Sequence, residues 1–199
     1  MEKWAENDYL LLTPGPLSTS PTVRRAMDRD WCTWDDEYNA GVVTPVREKL
    51  VQLATASRPD HYTCVLMQGS GTFSVEAMVG STIPRDGKLL VLANGTYGQR
   101  LAQIADRLEI RHVVHDSGEL DPPDLGRLDQ ALREDEAVTH VVLVHNETTT
   151  GMMNPLEEIA SIVKGHDRLL LVDSMSAFGG VPMDIAEMGI DYMVSSANK

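Results

Sequence analysis

Three stretches of this chain have the residue types and spacing of a reactive site. Leu169-Leu170-Leu171-Val172 is an apolar run that ends in a carboxylate, Asp173, followed by Ser174. Tyr192-Met193-Val194 is a shorter apolar run that leads into Ser195-Ser196-Ala197-Asn198-Lys199. Gln68-Gly69-Ser70-Gly71-Thr72-Phe73 is rich in glycine and hydroxyls and follows the apolar run Cys64-Val65-Leu66-Met67. A lysine at a strand end, rather than on a helix face, suits Schiff-base chemistry. A buried aspartate near it suits a partner for a protonated ring nitrogen. Glycines let backbone approach an anion closely, and the start of a helix favours a phosphate.

Each stretch also has a plainer reading. Asp173 could cap the next helix, and Lys199 could be a solvated surface lysine. The glycine turn could be a tight strand-to-helix connection with Thr72 as its cap. It could also be part of a dinucleotide fingerprint, which would make the protein a nucleotide-binding dehydrogenase. That motif asks for a third glycine where Ser74 stands, and for an acidic residue where the next strand ends in Ala93-Asn94.

The elements that must carry these groups follow from hydrophobic periodicity. Residues 1–20 read as an irregular arm broken by Thr13-Pro14-Gly15-Pro16. Ser20-Pro21 starts a short helix through Met27, and Thr44-Pro45 repeats that signal before a second helix. No period fits residues 30–41. From residue 63 strands and helices alternate: a strand at 64–67, a helix at 72–79, a strand at 88–93, a helix at 97–108 and a strand at 111–115. A helix at 125–132, a strand at 138–144, a helix at 159–163, a strand at 169–172, a short helix at 185–188 and a strand at 192–194 complete the series. The pattern predicts an α/β fold with a mostly parallel sheet flanked by helices. The carboxyl ends of its strands would gather Gly69-Ser70-Gly71, Asn94 to Gly98, His145 to Gly151, Asp173-Ser174 and Ser196 to Lys199.

That inventory holds a phosphate cradle, an aromatic face at Tyr97, a run of hydroxyls that includes Thr148, a carboxylate and an amine. It matches the needs of pyridoxal 5'-phosphate. His145 reads equally as a satisfied strand-end histidine or a catalytic one. His112, His115, Cys32 and Cys64 show no metal-ligand spacing, so no metal is expected.

At 199 residues, with 42% hydrophobic and 24% charged residues, the chain can bury a real core. The net charge of −13 argues against nucleic acid or an anionic membrane as partner. Two cysteines are too few for a disulfide framework. Met1 to Glu6 lacks the look of a signal peptide, and no window is apolar enough to span a membrane. The expected setting is the cytoplasm. The series ends on a strand with no helix after it, which suggests that a C-terminal part is missing from the sequence.

Leu12-Thr13-Pro14-Gly15-Pro16, Gly69-Ser70-Gly71-Thr72, Asn94-Gly95-Thr96-Tyr97-Gly98-Gln99-Arg100, His145 to Gly151, Asp173-Ser174-Met175-Ser176 and Ser195 to Lys199 resemble, in order and spacing, the class V aminotransferases. Within that family, Thr13-Pro14-Gly15-Pro16-Leu17, Asp30-Trp31-Cys32-Thr33-Trp34-Asp35 and the Ser-Ala-Asn-Lys ending favour the branch that works on an aminophosphonate with pyruvate over the alanine–glyoxylate or serine–pyruvate branches. The resemblance implies the type I fold of pyridoxal phosphate enzymes. It implies an arm at 1–20, a cofactor-binding large domain at 21–199 that is incomplete, and a homodimer. It implies that Lys199 carries the cofactor and moves a proton, while Asp173 pairs with the ring nitrogen. Ser70, Gly71 and Thr72 would hold the phosphate, Tyr97 would stack on the ring, and Thr148 would bond its phenolate oxygen. Asn198 would lie beside the cofactor, and Gly15 would approach the substrate's acidic group. Family members are longer, and their second half supplies a small domain and an acid-binding arginine. The chain could therefore be a non-catalytic fragment.

Overall fold

The computed structural model describes residues 10–199. The first part of the arm, with Met1 to Glu6, lies outside the described residues. The remainder, 10–20, has no regular element. Helix α1 spans Pro21–Met27; Ser20 accepts a hydrogen bond from the Val23 N–H and Pro21 takes the first position, where its missing N–H costs nothing. None of its residues is buried.

Thr44-Pro45 opens the expected second helix, but Thr44 does not cap it. A short α2, Asp36–Tyr38, runs through a π-helical turn, Asn39–Val43, directly into α3, Thr44–Ala54. In a straight helix the Pro45 ring would strike the carbonyl four residues back. The wider turn, closed by the Thr44 N–H on the Asn39 carbonyl, accommodates it.

The apolar run Cys64-Val65-Leu66-Met67 is not a strand either. It has no regular structure, and Val65, Leu66 and Met67 are exposed. Alternation cannot be tested over four apolar residues, and among the described residues no strand pairs with them. The glycine turn therefore follows an extended segment rather than a sheet strand.

From residue 71 onward the reading holds closely. The elements are α4 (Gly71–Thr82), β1 (Leu89–Ala93), α5 (Thr96–Arg107), β2 (His112–Asp116), α6 (Leu125–Glu134), β3 (His140–Val144), α7 (Leu156–Gly165), β6 (Leu169–Asp173) and β7 (Tyr192–Val194), with a two-stranded hairpin of β4 (Asn146–Glu147) and β5 (Met152–Met153) between β3 and α7. Residues 185–188 form a turn instead of a helix. Asp184 takes the Ala186 and Glu187 N–H groups on its side chain, and Gly189, at φ 70°, ends the turn.

The five long-range strands make one parallel sheet in the order β2-β1-β3-β6-β7. Both faces are covered, so β1 and β3 are buried at every position. Alternate side chains serve alternate cores. Leu89, Val91, Val142, Val144 and Leu171 pack with α4 and α5 through Val75, Val79 and Leu101. Leu90, Leu92, Val141, Leu143, Leu170 and Val172 pack with α6 and α7 through Leu128, Leu132, Ile159 and Val163. Two residues beyond Leu171, Asp173 falls on the α4–α5 side by the same alternation. Its register partners are Val144 on β3 and Val194 on β7.

Candidate active site

The carboxyl ends of the strands open onto a cavity of about 1800 Å³ whose polar end is lined by Ser70, Thr72, Tyr97, Thr148, Asp173 and Lys199. Gly71 and Asn198 line it as well. Strand ends, short turns and helix starts bring these residues together from five separate stretches of the chain.

The phosphate-type end is the start of α4. Ser70, not Thr72, is the cap; its Oγ accepts the Phe73 N–H at 3.2 Å. Gly71 and Thr72 are the first two residues of the helix, whose N–H groups have no partner within the helix. A Cβ on Gly71 would sit 2.8 Å from the Met175 sulfur, so the Met175 side chain packs directly against this glycine. Thr72 Oγ1 accepts a long bond of 3.4 Å from Arg100 Nη1.

A second helix start, that of α5, faces the same region but is already filled. Glu147 is fully buried, and its carboxylate accepts the Tyr97 and Gly98 N–H groups at 3.1 Å and the Thr149 hydroxyl at 2.8 Å. A Cβ on Gly95 would lie 2.3 Å from Glu147 Cγ, so only glycine lets that carboxylate approach. A carboxylate at this helix start satisfies the dipole and excludes a second anion. An incoming phosphate is left with α4.

Asp173 is 5% exposed, and its carboxyl accepts the Met175 N–H at 3.0 Å. Its pKa is pushed up to about 6, chiefly by burial, with the charge of Glu147 adding to the rise; the Met175 N–H and the Lys199 and Arg100 cations work against it. A buried carboxylate in this state calls for a cation beside it. Lys199 is half-buried with Nζ 5.8 Å from the Tyr97 ring centroid, and the Arg100 guanidinium carbon is 4.8 Å from the same ring. Thr148 donates to Ser176 Oγ at 2.9 Å, and Ser176 donates to the Asn146 carbonyl.

Gly15 belongs to the arm yet touches the site. A Cβ there would meet the Asn198 carbonyl and Lys199 Cγ and Cδ, each at 3.0 Å, and φ is 151°. The arm thus lies against the lysine stem. His145 is buried beneath the site, with Nδ1 3.2 Å from Ser174 Oγ; burial lowers its pKa and it does not line the cavity.

The sequence reading brought the right strand ends together but assigned no role to Glu147, Arg100, Met175 or Ser176. Glu147 carried one usable signal: a lone carboxylate in a hydroxyl-rich turn, with Gly95 available to admit it.

The aminotransferase class-V family model matches residues 38–199. A 2-aminoethylphosphonate–pyruvate transaminase of Vibrio vulnificus (strain CMCP6) is 61% identical over 194 residues, covering 98% of this chain and 52% of that protein. One from Syntrophobacter fumaroxidans is 59% identical with the same coverage. Among solved structures, an alanine–glyoxylate aminotransferase from Nostoc sp. superposes with a TM-score of 0.85 at 27% identity, over 100% of this chain and 52% of that one. A pyridoxamine–pyruvate aminotransferase from Mesorhizobium loti gives 0.82 at 26%, over 98% and 50%. The chain spans about half the length of the curated relatives it matches.

Proposed function

The chain belongs to the class-V aminotransferase family, whose cofactor is pyridoxal 5'-phosphate, and on that premise we propose that it builds the cofactor site of a transaminase acting on 2-aminoethylphosphonate and pyruvate. The products would be phosphonoacetaldehyde and alanine. The substrate pair rests on the names of relatives at 54–61% identity. Residues 21–199 would form the cofactor-binding domain and 1–20 its arm, of which Pro14, Gly15 and Leu17 lie at the cavity.

The residues present fit the cofactor. The free start of α4 suits a phosphate, Tyr97 offers a flat face, Asp173 needs a cation, and the amine of Lys199 lies beside the same ring. Bound there, pyridoxal phosphate supplies a carbonyl that condenses with amines and a ring that withdraws electrons from the substrate Cα. Ser70, Gly71 and Thr72 hold the phosphate. The Asp173 carboxylate keeps a proton on the ring nitrogen. Tyr97 fixes the plane of the ring, and Glu147 fixes Tyr97 by holding its backbone N–H. Thr148 must turn its hydroxyl away from Ser176 to donate to a ring oxygen. Lys199 Nζ would take the proton from the substrate Cα and pass it to the cofactor's aldehyde-derived carbon, C4′. Gly15 lies against the lysine stem and the Asn198 carbonyl and limits where the amine can reach.

The observation that carries this reading is the convergence of Asp173, at the end of β6, and Lys199, in the segment that follows the adjacent β7, onto one cavity with Tyr97 and the α4 start. Borohydride reduction of the full-length protein should leave the cofactor's mass on the peptide that contains Lys199. Lys199→Ala should lose both that adduct and its visible absorbance. If the variant keeps the same covalent absorbance, the assignment is wrong. Comparing 2-aminoethylphosphonate with alanine as amino donor separates this reading from an alanine–glyoxylate transaminase. A homodimer and a cytoplasmic setting go with the proposal; the free thiols of Cys32 and Cys64 suit the latter, and sedimentation tests the former.

A further inference from the structure

We propose that Arg100 binds a tetrahedral oxyanion in this cleft, together with the start of α4. The inference rests on the reading of the cavity as a pyridoxal phosphate site. It concerns a residue to which neither the motif reading nor the helix start gives a role.

Arg100 lies three residues after Tyr97 on α5, so both side chains occupy one face of that helix. The guanidinium carbon is 4.8 Å from the Tyr97 ring centroid, and Nη1 reaches 3.4 Å to Thr72 Oγ1 on α4. The side chain therefore spans the gap between the two helix starts. It lines the cavity and is half-buried. Among the described residues it takes part in none of the ion pairs.

The charge of Arg100 reaches Asp173, but among the described residues no carboxylate stands within ion-pair distance of it, which leaves its fork open to a bound anion. The ring contact holds the guanidinium in one orientation before any ligand arrives. Its fork of donors matches phosphate or phosphonate oxygens, and the long contact to Thr72 is weak enough to be exchanged for them. The α5 start cannot take the anion because Glu147 occupies it. At the α4 start the anion would meet the N–H groups of Gly71 and Thr72 on one side and Arg100 on the other. Lys199 could not do this work as well, since its amine is needed for condensation, whereas a guanidinium stays charged and unreactive.

The oxyanion has two possible sources, the phosphate of the cofactor and the phosphonate of the amino donor. The experiment compares full-length wild type, Arg100→Gln and Arg100→Lys, after their melting curves have been matched. Apoprotein is titrated with pyridoxal 5'-phosphate and with pyridoxal, which lacks the phosphate, and KM is measured for 2-aminoethylphosphonate and for pyruvate. If Arg100 holds the cofactor's phosphate, Arg100→Gln loses roughly tenfold or more in affinity for pyridoxal 5'-phosphate and keeps its affinity for pyridoxal, with Arg100→Lys between. If it holds the substrate's phosphonate, cofactor affinity stays put and KM for the aminophosphonate alone rises by a similar factor. Equal loss for both cofactor forms, or no change in any of the four constants, overturns the proposal. Failure of the wild type to bind pyridoxal 5'-phosphate would instead overturn the reading of the cleft itself.

Discussion

Asp173 carries a measurable cost in the absence of a cation. Its folded pKa, about 6, lies above the ordinary value of 3.8, so the folded chain binds this proton more tightly than the unfolded chain. The group favours folding most at pH values below 3.8, and that advantage is lost as pH rises through 6. By pH 8 the ionised group costs the apoprotein roughly 3 kcal/mol. Asp173→Asn should therefore unfold at higher urea than wild-type apoprotein at pH 8, and the gap should close towards pH 4. A gap that ignores pH would show that the carboxyl is not the cause. The cofactor should remove most of the difference in wild type, because a ring cation beside Asp173 reverses the penalty. Asp173 was legible in the sequence as an abrupt polar stop to an apolar run, and Lys199 as the amine closing the short polar stretch after the next one. Glu147 and Arg100 were not, because a charge has no readable role until its partner is known. The partners here are the backbone N–H of Tyr97 and the hydroxyl of Thr72, which only folding brings near.

At the scale of elements, the start of α5 depends on one fully buried side chain from the β4–β5 hairpin. Gly95→Ala would drive a Cβ to 2.3 Å from Glu147 Cγ and displace the carboxylate from both N–H groups. Urea unfolding should show a loss of roughly 1–3 kcal/mol, the usual range for overpacking. A neutral outcome would mean that Glu147 moves aside freely. The same scale explains what sequence could and could not read. Helices α5, α6 and α7 and the buried strands between them have strong periodicity, and their bounds were found to within about three residues. The missed elements are those in which a local rule yields to a particular contact. Thr44-Pro45 looked like a cap, but the preceding residues were already helical. The turn at 185–188 looked helical and Asp184 caps its start, but Gly189 at φ 70° ends it after one round, with the Ile190 N–H on the Ile185 carbonyl. Residues 64–67 looked like a strand, yet among the described residues no strand pairs with them.

The whole molecule is tied across its length by Asp184. It accepts from Thr55 Oγ1 at 2.7 Å, Ser57 Oγ at 2.9 Å, and the Ala56 and Ser57 N–H groups, joining the end of α3 to the turn before β7. Burial disfavours its charge, but the bonds from Thr55, Ser57 and Glu187 outweigh that and hold its pKa well below the ordinary range. Its stabilisation is complete above the ordinary carboxylate pKa and is lost as pH falls through the depressed one. Asp184→Ala should move the midpoint of acid unfolding to higher pH, read by circular dichroism. An unchanged midpoint would show that the tie is idle. Among the described residues, no helix is long and apolar enough to cross a membrane.

The parallel order β2-β1-β3-β6-β7 also bears on how the protein is made. The cavity residues hang from five separate stretches, and every pair in the parallel sheet needs a crossover before it closes. Such long-range pairing is slow and comes late. Lys199 follows β7, the last strand to join the edge. A chain emerging from the ribosome holds the phosphate turn and the aromatic face long before it holds the amine. On the proposed reading, covalent capture of the cofactor waits for Lys199, the last of these groups to be synthesised.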